Sequence, residues 1–211
     1  QRVLGDKNPM LLSKLGILAG EKHARFDFSA VQKIKTVNSY CTSSAPAVEL
    51  GDYLRDQILQ VREPSFAFQA LSKEAVSLKP AMVHVRLGDY VLLKNLFGET
   101  NFDLLGEVIK KTLDSARRPL WLFSDSPNAI NPQVIDGLGV TKVVGPETLN
   151  RPIENLILMS MGSELFCANS TFSWWSAFLK GDKGSVFYST NTQAPNVIFR
   201  DDLILKGWTA C

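Results

Sequence analysis

The chain has 211 residues, of which 45% are apolar and 21% are charged, and its formal net charge is +2. These totals are typical of a globular protein with a substantial core, and so small a charge gives no indication of a nucleic-acid partner. All apolar runs are shorter than the roughly 20 residues that a membrane-spanning helix needs. The three cysteines, Cys41, Cys167 and Cys211, form no CxxC pair, so neither a zinc site nor a disulfide framework is indicated.

Residues 1–79 form the first of two parts, and their pattern is mostly helical or irregular. Pro9–Ala19 is amphipathic, Ser39–Pro46 is a polar loop, and Leu50–Arg62 has the apolar spacing of a helix. This part shows no alternation of strands and helices.

From Pro80 onward, five short apolar runs alternate with helical segments. The runs are Met82–Val85, Leu120–Phe123, Lys142–Val144, Leu165–Ala168 and Ser185–Tyr188. The helical segments are Phe102–Ala116, Glu154–Gly162 and shorter stretches after Pro127 and Ser173. The alternation predicts an α/β fold with a doubly wound parallel sheet. Ligands of such sheets bind beyond the carboxyl ends of the strands, so the residues that follow the runs are candidates for a site.

The first run leads into HVRLGDY, His84–Tyr90. Arg86 is a candidate phosphate ligand, because a guanidinium presents a planar fork of donors, and it lies in phase with His84 along the strand. The alternatives are a surface ion pair between Arg86 and Asp89 and a core position for His84. Asp89 itself is either a turn residue or the group that orients Arg86.

Polar residues also follow the second and fourth runs. They are Ser124, Asp125, Asn169, Ser170, Thr171 and Ser173. Hydroxyls and free N–H groups at a helix N-terminus suit an anion such as phosphate. For the turn taken alone, we favour the alternative that Ser170 or Thr171 caps the helix, and Asp125 is alternatively a cap before Pro127. Trp174 and its neighbour point about 100° apart on a helix, so we expect one in the core and one near the site.

Several sequence signatures are absent. The chain contains no GxGxxG, no P-loop and no GxSxG. It has two histidines and no Asp-x-Asp, so we expect no metal. An arginine and backbone donors would then neutralise a bound diphosphate.

These elements, in this order, resemble the α-1,2-fucosyltransferase family, glycosyltransferase family 11. The matching segments are His84–Tyr90 (HVRLGDY), Phe123–Asp125 (FSD), Glu154–Ser160 (ENLILMS), Asn169–Leu179 (NSTFSWWSAFL) and Asp201–Trp208 (DDLILKGW). The resemblance covers roughly residues 50–211. Leu87 stands where the family has a second arginine, Asn155 stands where an aspartate is expected, and the family's Gly-rich opening segment has no counterpart.

The resemblance implies a GT-B fold. Residues 1–79 would be the remnant of an N-terminal acceptor-side domain that lacks several tens of residues, and residues 80–211 would be the C-terminal domain that binds GDP-fucose. The implied reaction is metal-independent and inverting, and it transfers L-fucose from GDP-β-L-fucose to the 2-hydroxyl of a terminal galactose on a glycan. GDP-fucose is a co-substrate, and no cofactor is expected.

The resemblance also suggests roles for the residues at the strand ends. Arg86, Asp89 and Asp125 are the expected catalytic residues, with Arg86 at the leaving phosphate and either aspartate, or a group in the missing segment, as the acceptor base. His84 and either Glu154 or Asn155 would read the guanine edge. The full donor-binding set is His84, Arg86, Ser124, Glu154, Asn155, Asn169, Ser170, Thr171, Ser173 and Trp174.

Two other functions stay open. One is a fucosyltransferase of different linkage, either α-1,6 or protein O-fucosyl transfer, and the other is a non-catalytic remnant that binds nucleotide or glycan. The only N-glycosylation sequon, at Asn169, lies inside the expected phosphate turn. With no signal peptide and an odd cysteine count, this predicts a bacterial cytoplasmic protein acting at the inner membrane face on a lipid-linked glycan or on a soluble galactoside. The alternative is the Golgi lumen, with an anchor removed.

Overall fold

The computed structural model describes residues 18–19, 36–37, 44–113, 118–189, 198–199 and 203–211. Its contacts group into two compact units, Gln1–Leu54 and Arg55–Cys211. The first unit contains β1 (Leu18–Ala19) and β2 (Thr36–Val37), which pair in parallel, and α1 (Ala45–Glu49). These two short strands were not predicted from the pattern of residues 1–79. The rest of Pro9–Ala19 and most of the loop Ser39–Pro46 lie outside the described residues.

Helix α2 (Gly51–Leu59) leads into the second unit, whose helices and strands alternate. In chain order its elements are α3 (Phe66–Leu78), β3 (Ala81–Val85), α4 (Lys94–Phe97), α5 (Phe102–Leu113), β4 (Leu120–Ser124), α6 (Pro132–Gly137), β5 (Val140–Val144), α7 (Pro152–Ser160), β6 (Glu164–Cys167), α8 (Thr171–Lys180), β7 (Ser185–Tyr188) and β8 (Trp208–Ala210). Short 3-10 turns occupy Gly88–Val91 and Pro127–Ala129. None of the described helices is long and apolar enough to cross a bilayer.

The six strands of this unit form one parallel sheet in the order β5-β4-β3-β6-β7-β8. This is the 3-2-1-4-5-6 order of doubly wound nucleotide-binding folds. The predicted parallel sheet is therefore confirmed, and each of the five apolar runs forms a strand. The sixth strand, β8, was not predicted because it is only three residues long and lacks an apolar run.

The strand order reverses between β3 and β6, and this reversal determines where a ligand can bind. The connections that follow the two central strands leave in opposite directions, so a crevice opens at their carboxyl ends. Ala81, Val83 and Val85 of β3 pack in one cluster with Ile109 of α5. His84 projects to the opposite face because side chains alternate along a strand.

Helix α3 belongs to the same compact unit as the sheet, whereas the sequence pattern placed a domain boundary after residue 79. The helix packs on α7, and its N-cap Ser65 donates its hydroxyl to Glu154 of α7 over 2.7 Å. These contacts are consistent with the place of α3 in the unit Arg55–Cys211. The assignment of the two parts to an acceptor side and a donor side stays a prediction.

Candidate active site

His84 and Arg86 lie at the carboxyl end of β3, directly at the point where the strand order reverses. They project from the same face because they are two residues apart in an extended segment. His84 is 5% exposed, and the Arg86 side chain is 32% exposed. The sheet thus holds His84 within the protein while the longer arginine side chain extends to the crevice.

His84 is hydrogen-bonded to the turn that follows β6. Its Nδ1 lies 2.6 Å from the Ser173 hydroxyl oxygen, and that oxygen accepts the N–H of Ala168 over 3.1 Å. The His84 ring also lies against Phe172, with 5.6 Å between the ring centroids. Burial lowers the pKa of His84 from 6.5 to about 4, against the opposing effect of Asp125 and with a smaller contribution from Arg86. His84 is therefore uncharged at neutral pH.

Arg86 is held between two carboxylates. Its Nη2 lies 2.6 Å from Asp89 Oδ1, and its Nη1 lies 3.0 Å from Asp125 Oδ2. The ion pair with Asp89 that the sequence left open as an alternative is therefore present. The three side chains together carry one net negative charge. A guanidinium has five N–H donors, so donors remain for an additional anion.

Asp125 also fixes the backbone beside Arg86. Its Oδ1 accepts the N–H of Leu87 over 2.9 Å, so both carboxylate oxygens are engaged. A Cβ at Gly88 would lie 2.2 Å from Asp125 Oδ2, which is far too close for any side chain. A side chain at residue 88 would displace this carboxylate, so the glycine of HVRLGDY permits its close approach.

The segment after Arg86 adds an aromatic wall. The Tyr90 ring stacks on Phe97 with 4.3 Å between centroids, and the Arg86 guanidinium lies 5.6 Å from the centre of the Tyr90 ring. Burial raises the pKa of Tyr90 above its usual value, so its phenol is protonated at neutral pH.

The polar side chains of the turn after β6 form hydrogen bonds mainly with backbone groups. Ser170 is the N-cap of α8 and accepts the N–H of Phe172 over 3.2 Å, so the capping alternative describes this residue. Asn169 donates to the Phe97 carbonyl oxygen over 3.0 Å and accepts the N–H of Ile198 over 2.6 Å. Thr171 is exposed at the start of α8. The expected phosphate turn is therefore in large part a structural junction.

Trp174 lines neither of the clefts described below, and its assignment to the donor-binding set stays a prediction. It is 5% exposed, its indole N–H donates to the Leu203 carbonyl oxygen over 2.6 Å, and its ring stacks on Phe178. Trp175 packs edge-on against Trp174 and Phe178. Both tryptophans therefore stabilise the packing of α8, and neither lines a cleft described below.

Glu154 is fully buried and lines neither cleft, and its assignment to the donor-binding set likewise stays a prediction. Its two oxygens accept the N–H and the hydroxyl of Ser65 over 2.8 and 2.7 Å, which anchors α3 to α7. Asn155, the next residue, does line a cleft, and its side-chain amide donates to the carbonyl oxygens of Leu149 and Arg151.

Two clefts flank His84 and Arg86, and both residues line each cleft. The β6-side cleft lies between the β3–α5 connection and the end of β6. Its other principal lining residues are Tyr90, Phe97, Asn101, Leu104, Ala168 and Asn169. The β5-side cleft has a volume of about 250 Å³. Its other principal lining residues are Ser124, Asp125, Pro146, Asn150, Asn155 and Phe172.

The loop Gly145–Asn150, which forms one wall of the β5-side cleft, was not predicted as part of the site. A signal for it existed, because this loop follows the third apolar run just as the named residues follow the others. Phe172 and Tyr90 stood in the quoted segments but received no role. The described residues contain no group of three or more His, Cys, Asp or Glu side chains placed to hold a metal ion.

Comparison with protein families decides the classification. The model of glycosyl transferase family 11 matches residues 26–211. This chain belongs to glycosyl transferase family 11. The family identifies it as a fucosyltransferase in general terms, with a nucleotide-sugar donor and a glycan acceptor. Comparison with the curated proteins and with the solved structures gives no significant match.

Proposed function

We propose that this family 11 protein is a galactoside α-1,2-fucosyltransferase that uses GDP-β-L-fucose, inverts the anomeric centre and needs no metal. The observation that carries the proposal is the position of Arg86, between two clefts at the reversal of strand order. A sugar nucleotide has two bulky ends joined by a diphosphate. The two clefts could each hold one bulky end, and the guanidinium between them could bind the diphosphate.

The nucleoside would occupy the β5-side cleft. Phe172 and Pro146 supply apolar surface for a base, while Asn150 and Asn155 supply amides for its polar edge. The Asn155 amide nitrogen is already bonded to two carbonyl oxygens, so its oxygen is the atom that would accept from guanine. The fucosyl group would then lie toward the β6-side cleft, with the diphosphate at Arg86.

The chemistry follows from charge development at the leaving group. As the acceptor hydroxyl attacks C1 of fucose, the bond from C1 to the β-phosphate oxygen breaks and that oxygen becomes more negative. Arg86 would stabilise this charge with donors held in place before reaction. Asp125 has both oxygens engaged, so Asp89, which is 58% exposed, is the better of the two candidates for the acceptor base. A base in a further segment of the protein is the alternative.

Incubation with GDP-fucose and lactose tests this function. We expect GDP release coupled to a trisaccharide in which NMR shows an α-1,2 linkage to galactose, and we expect the rate to be unchanged by EDTA. A product of another linkage would move the assignment to a different fucosyltransferase. GDP binding without hydrolysis or transfer would favour the non-catalytic remnant. Loss of activity with EDTA and recovery with Mn²⁺ would contradict metal independence.

The contacts of Asn169 support the proposal of a bacterial cytoplasmic location. A glycan on its Nδ2 would replace one of the two amide hydrogens at a part-buried position that donates to the Phe97 carbonyl oxygen, beside the β6-side cleft. Expression in a secretory eukaryotic host, followed by intact-mass and activity measurements, tests this point. Full activity with a glycan at Asn169 would contradict it.

A further inference from the structure

Ser173 has no part in capping α8, although it lies in the first turn of that helix. Ser170 provides the cap. The Ser173 side chain is fully buried, and its hydroxyl lies between Ala168 at the end of β6 and His84 at the end of β3. It therefore joins the two strands between which the sheet order reverses.

The hydrogen-bonding capacity of this hydroxyl favours one protonation state of the His84 ring. A serine hydroxyl has one donor hydrogen and two acceptor lone pairs. One lone pair accepts the Ala168 N–H. Among the described residues, His84 Nδ1 is the only acceptor within reach of the hydroxyl hydrogen. A neutral imidazole that accepts at Nδ1 carries its proton at Nε2.

We infer that Ser173 is a positioning residue that fixes His84 as the Nε2–H tautomer, so that the ring presents one uncharged N–H donor to a phosphate oxygen in the crevice. The identity of that ligand rests on the proposed function. Arg86 supplies the positive charge, and His84 supplies an N–H donor of fixed orientation. The orientation is fixed because the ring contacts Ser173 on one side and Phe172 on the other. Burial of the ring lowers the pKa of His84 to about 4, against the opposing effect of Asp125 and with a smaller contribution from Arg86, so the ring is neutral around pH 7.

The tautomer can be observed directly, since the chain contains only two histidines, His23 and His84. Long-range ¹H–¹⁵N NMR spectra of the full chain at pH 7.5, assigned with His23→Gln, should show His84 protonated at Nε2 and unprotonated at Nδ1. Addition of GDP should shift the Nε2 resonance more than the Nδ1 resonance. A wild-type His84 protonated at Nδ1, or a mixture of both tautomers, would overturn the inference.

Substitution then tests the role of Ser173. Ser173→Ala should give a mixture of tautomers and lower kcat for transfer by about 10–100-fold, by analogy with removal of the partner that orients a metal-ligating histidine. Ser173→Thr, which keeps the hydroxyl, should restore the Nε2–H tautomer. The matched control is Ser176→Ala on the same helix, since Ser176 is equally buried but donates to the Phe172 carbonyl oxygen. Its spectrum and rate should match the wild type.

The two proposals fail separately. If wild-type protein shows the expected tautomer and GDP shift but transfers no fucose, the enzymatic function is wrong and the role of Ser173 stands. If transfer occurs and Ser173→Ala leaves both the tautomer and kcat unchanged, the role of Ser173 is wrong and the function stands. The wild-type spectrum alone is decisive if Ser173→Ala does not fold.

Discussion

The carboxyl ends of β3 and β6 lie side by side in the sheet, yet their polar residues are used differently. At the end of β3, Arg86 extends to two clefts and His84 lines both. At the end of β6, Ser170 bonds the backbone and Ser173 bonds His84 and the backbone. The first group faces the ligand space, and the second group holds the first group in place.

The difference follows from the length of the side chains and from the number of nearby backbone N–H groups that lack a partner. A helix N-terminus leaves N–H groups without partners, and a short hydroxyl side chain bonds them at once, as Ser170 does. An arginine side chain is too long to bond the adjacent N–H groups. The Arg86 guanidinium instead pairs with two carboxylates at the edge of the crevice. Hydroxyls at a strand-to-helix turn are thus weaker evidence for a phosphate site than the arginine beside them.

The largest effect is expected for Arg86→Ala, which removes the one charged donor that both clefts share. Transfer should fall by about 10²–10³-fold, or about 2.7–4 kcal/mol, by analogy with removal of an oxyanion-hole donor. Arg86→Lys should also be poorly active because a point charge does not replace a planar fork. The control is Arg118→Ala, since Arg118 also pairs with a carboxylate, Glu164, but lines neither cleft. An Arg86→Ala enzyme within a few-fold of wild type would contradict its role at the phosphate.

The burial of His84 by the β6 turn should make stability depend on pH. The folded-state pKa of about 4 lies below the unfolded value near 6.5, so between these pH values the unfolded chain binds a proton that the folded chain does not. The contribution of His84 to stability is therefore constant above pH 6.5 and falls toward pH 4, by up to about 3 kcal/mol at 1.36 kcal/mol per pKa unit.

Urea unfolding of wild type and His84→Asn at several pH values measures this dependence. An asparagine can still bond the Ser173 hydroxyl but does not titrate, so its acid destabilisation should be smaller by that amount. His23 is present in both proteins and cancels in the comparison. Identical pH dependence in the two proteins would show that His84 is not buried as a neutral ring.

Glu154 tests the distinction between residues that face a ligand and residues that hold the fold together. It belongs to a family motif but lines neither cleft. Glu154→Ala should lower the free energy of unfolding by about 1.5–3 kcal/mol, since the Ser65 hydroxyl and N–H lose a charged acceptor. GDP affinity, measured by calorimetry at a temperature where the variant is folded, should stay unchanged. Asn155→Ala should instead weaken GDP binding, because Asn155 lines the β5-side cleft. The reverse pattern would support the assignment of Glu154 to the donor site.

The sequence predicted much of this arrangement, and the failures have physical causes. The parallel strands and the position of His84 and Arg86 followed from apolar runs and from what comes after them. The sequence did not show that Glu154 is buried while Asn155 lines a cleft. Adjacent helical residues point about 100° apart, and only the packing of α3 on α7 shows which of the two faces inward. Strand β8 was missed because it is only three residues long and lacks an apolar run.

The smallest effect, and the most direct test of the β6 turn, is expected for Ser170→Ala. Loss of the cap to the Phe172 N–H should cost about 1 kcal/mol of stability, as for other serine caps. The transfer rate should not change, since the Ser170 side chain is buried and lines neither cleft. Ser170→Asp, which keeps a capping oxygen, should recover the stability. If Ser170→Ala slowed transfer as strongly as Arg86→Ala while remaining folded, the hydroxyl would contact the donor phosphate, and the two strand ends would share one role.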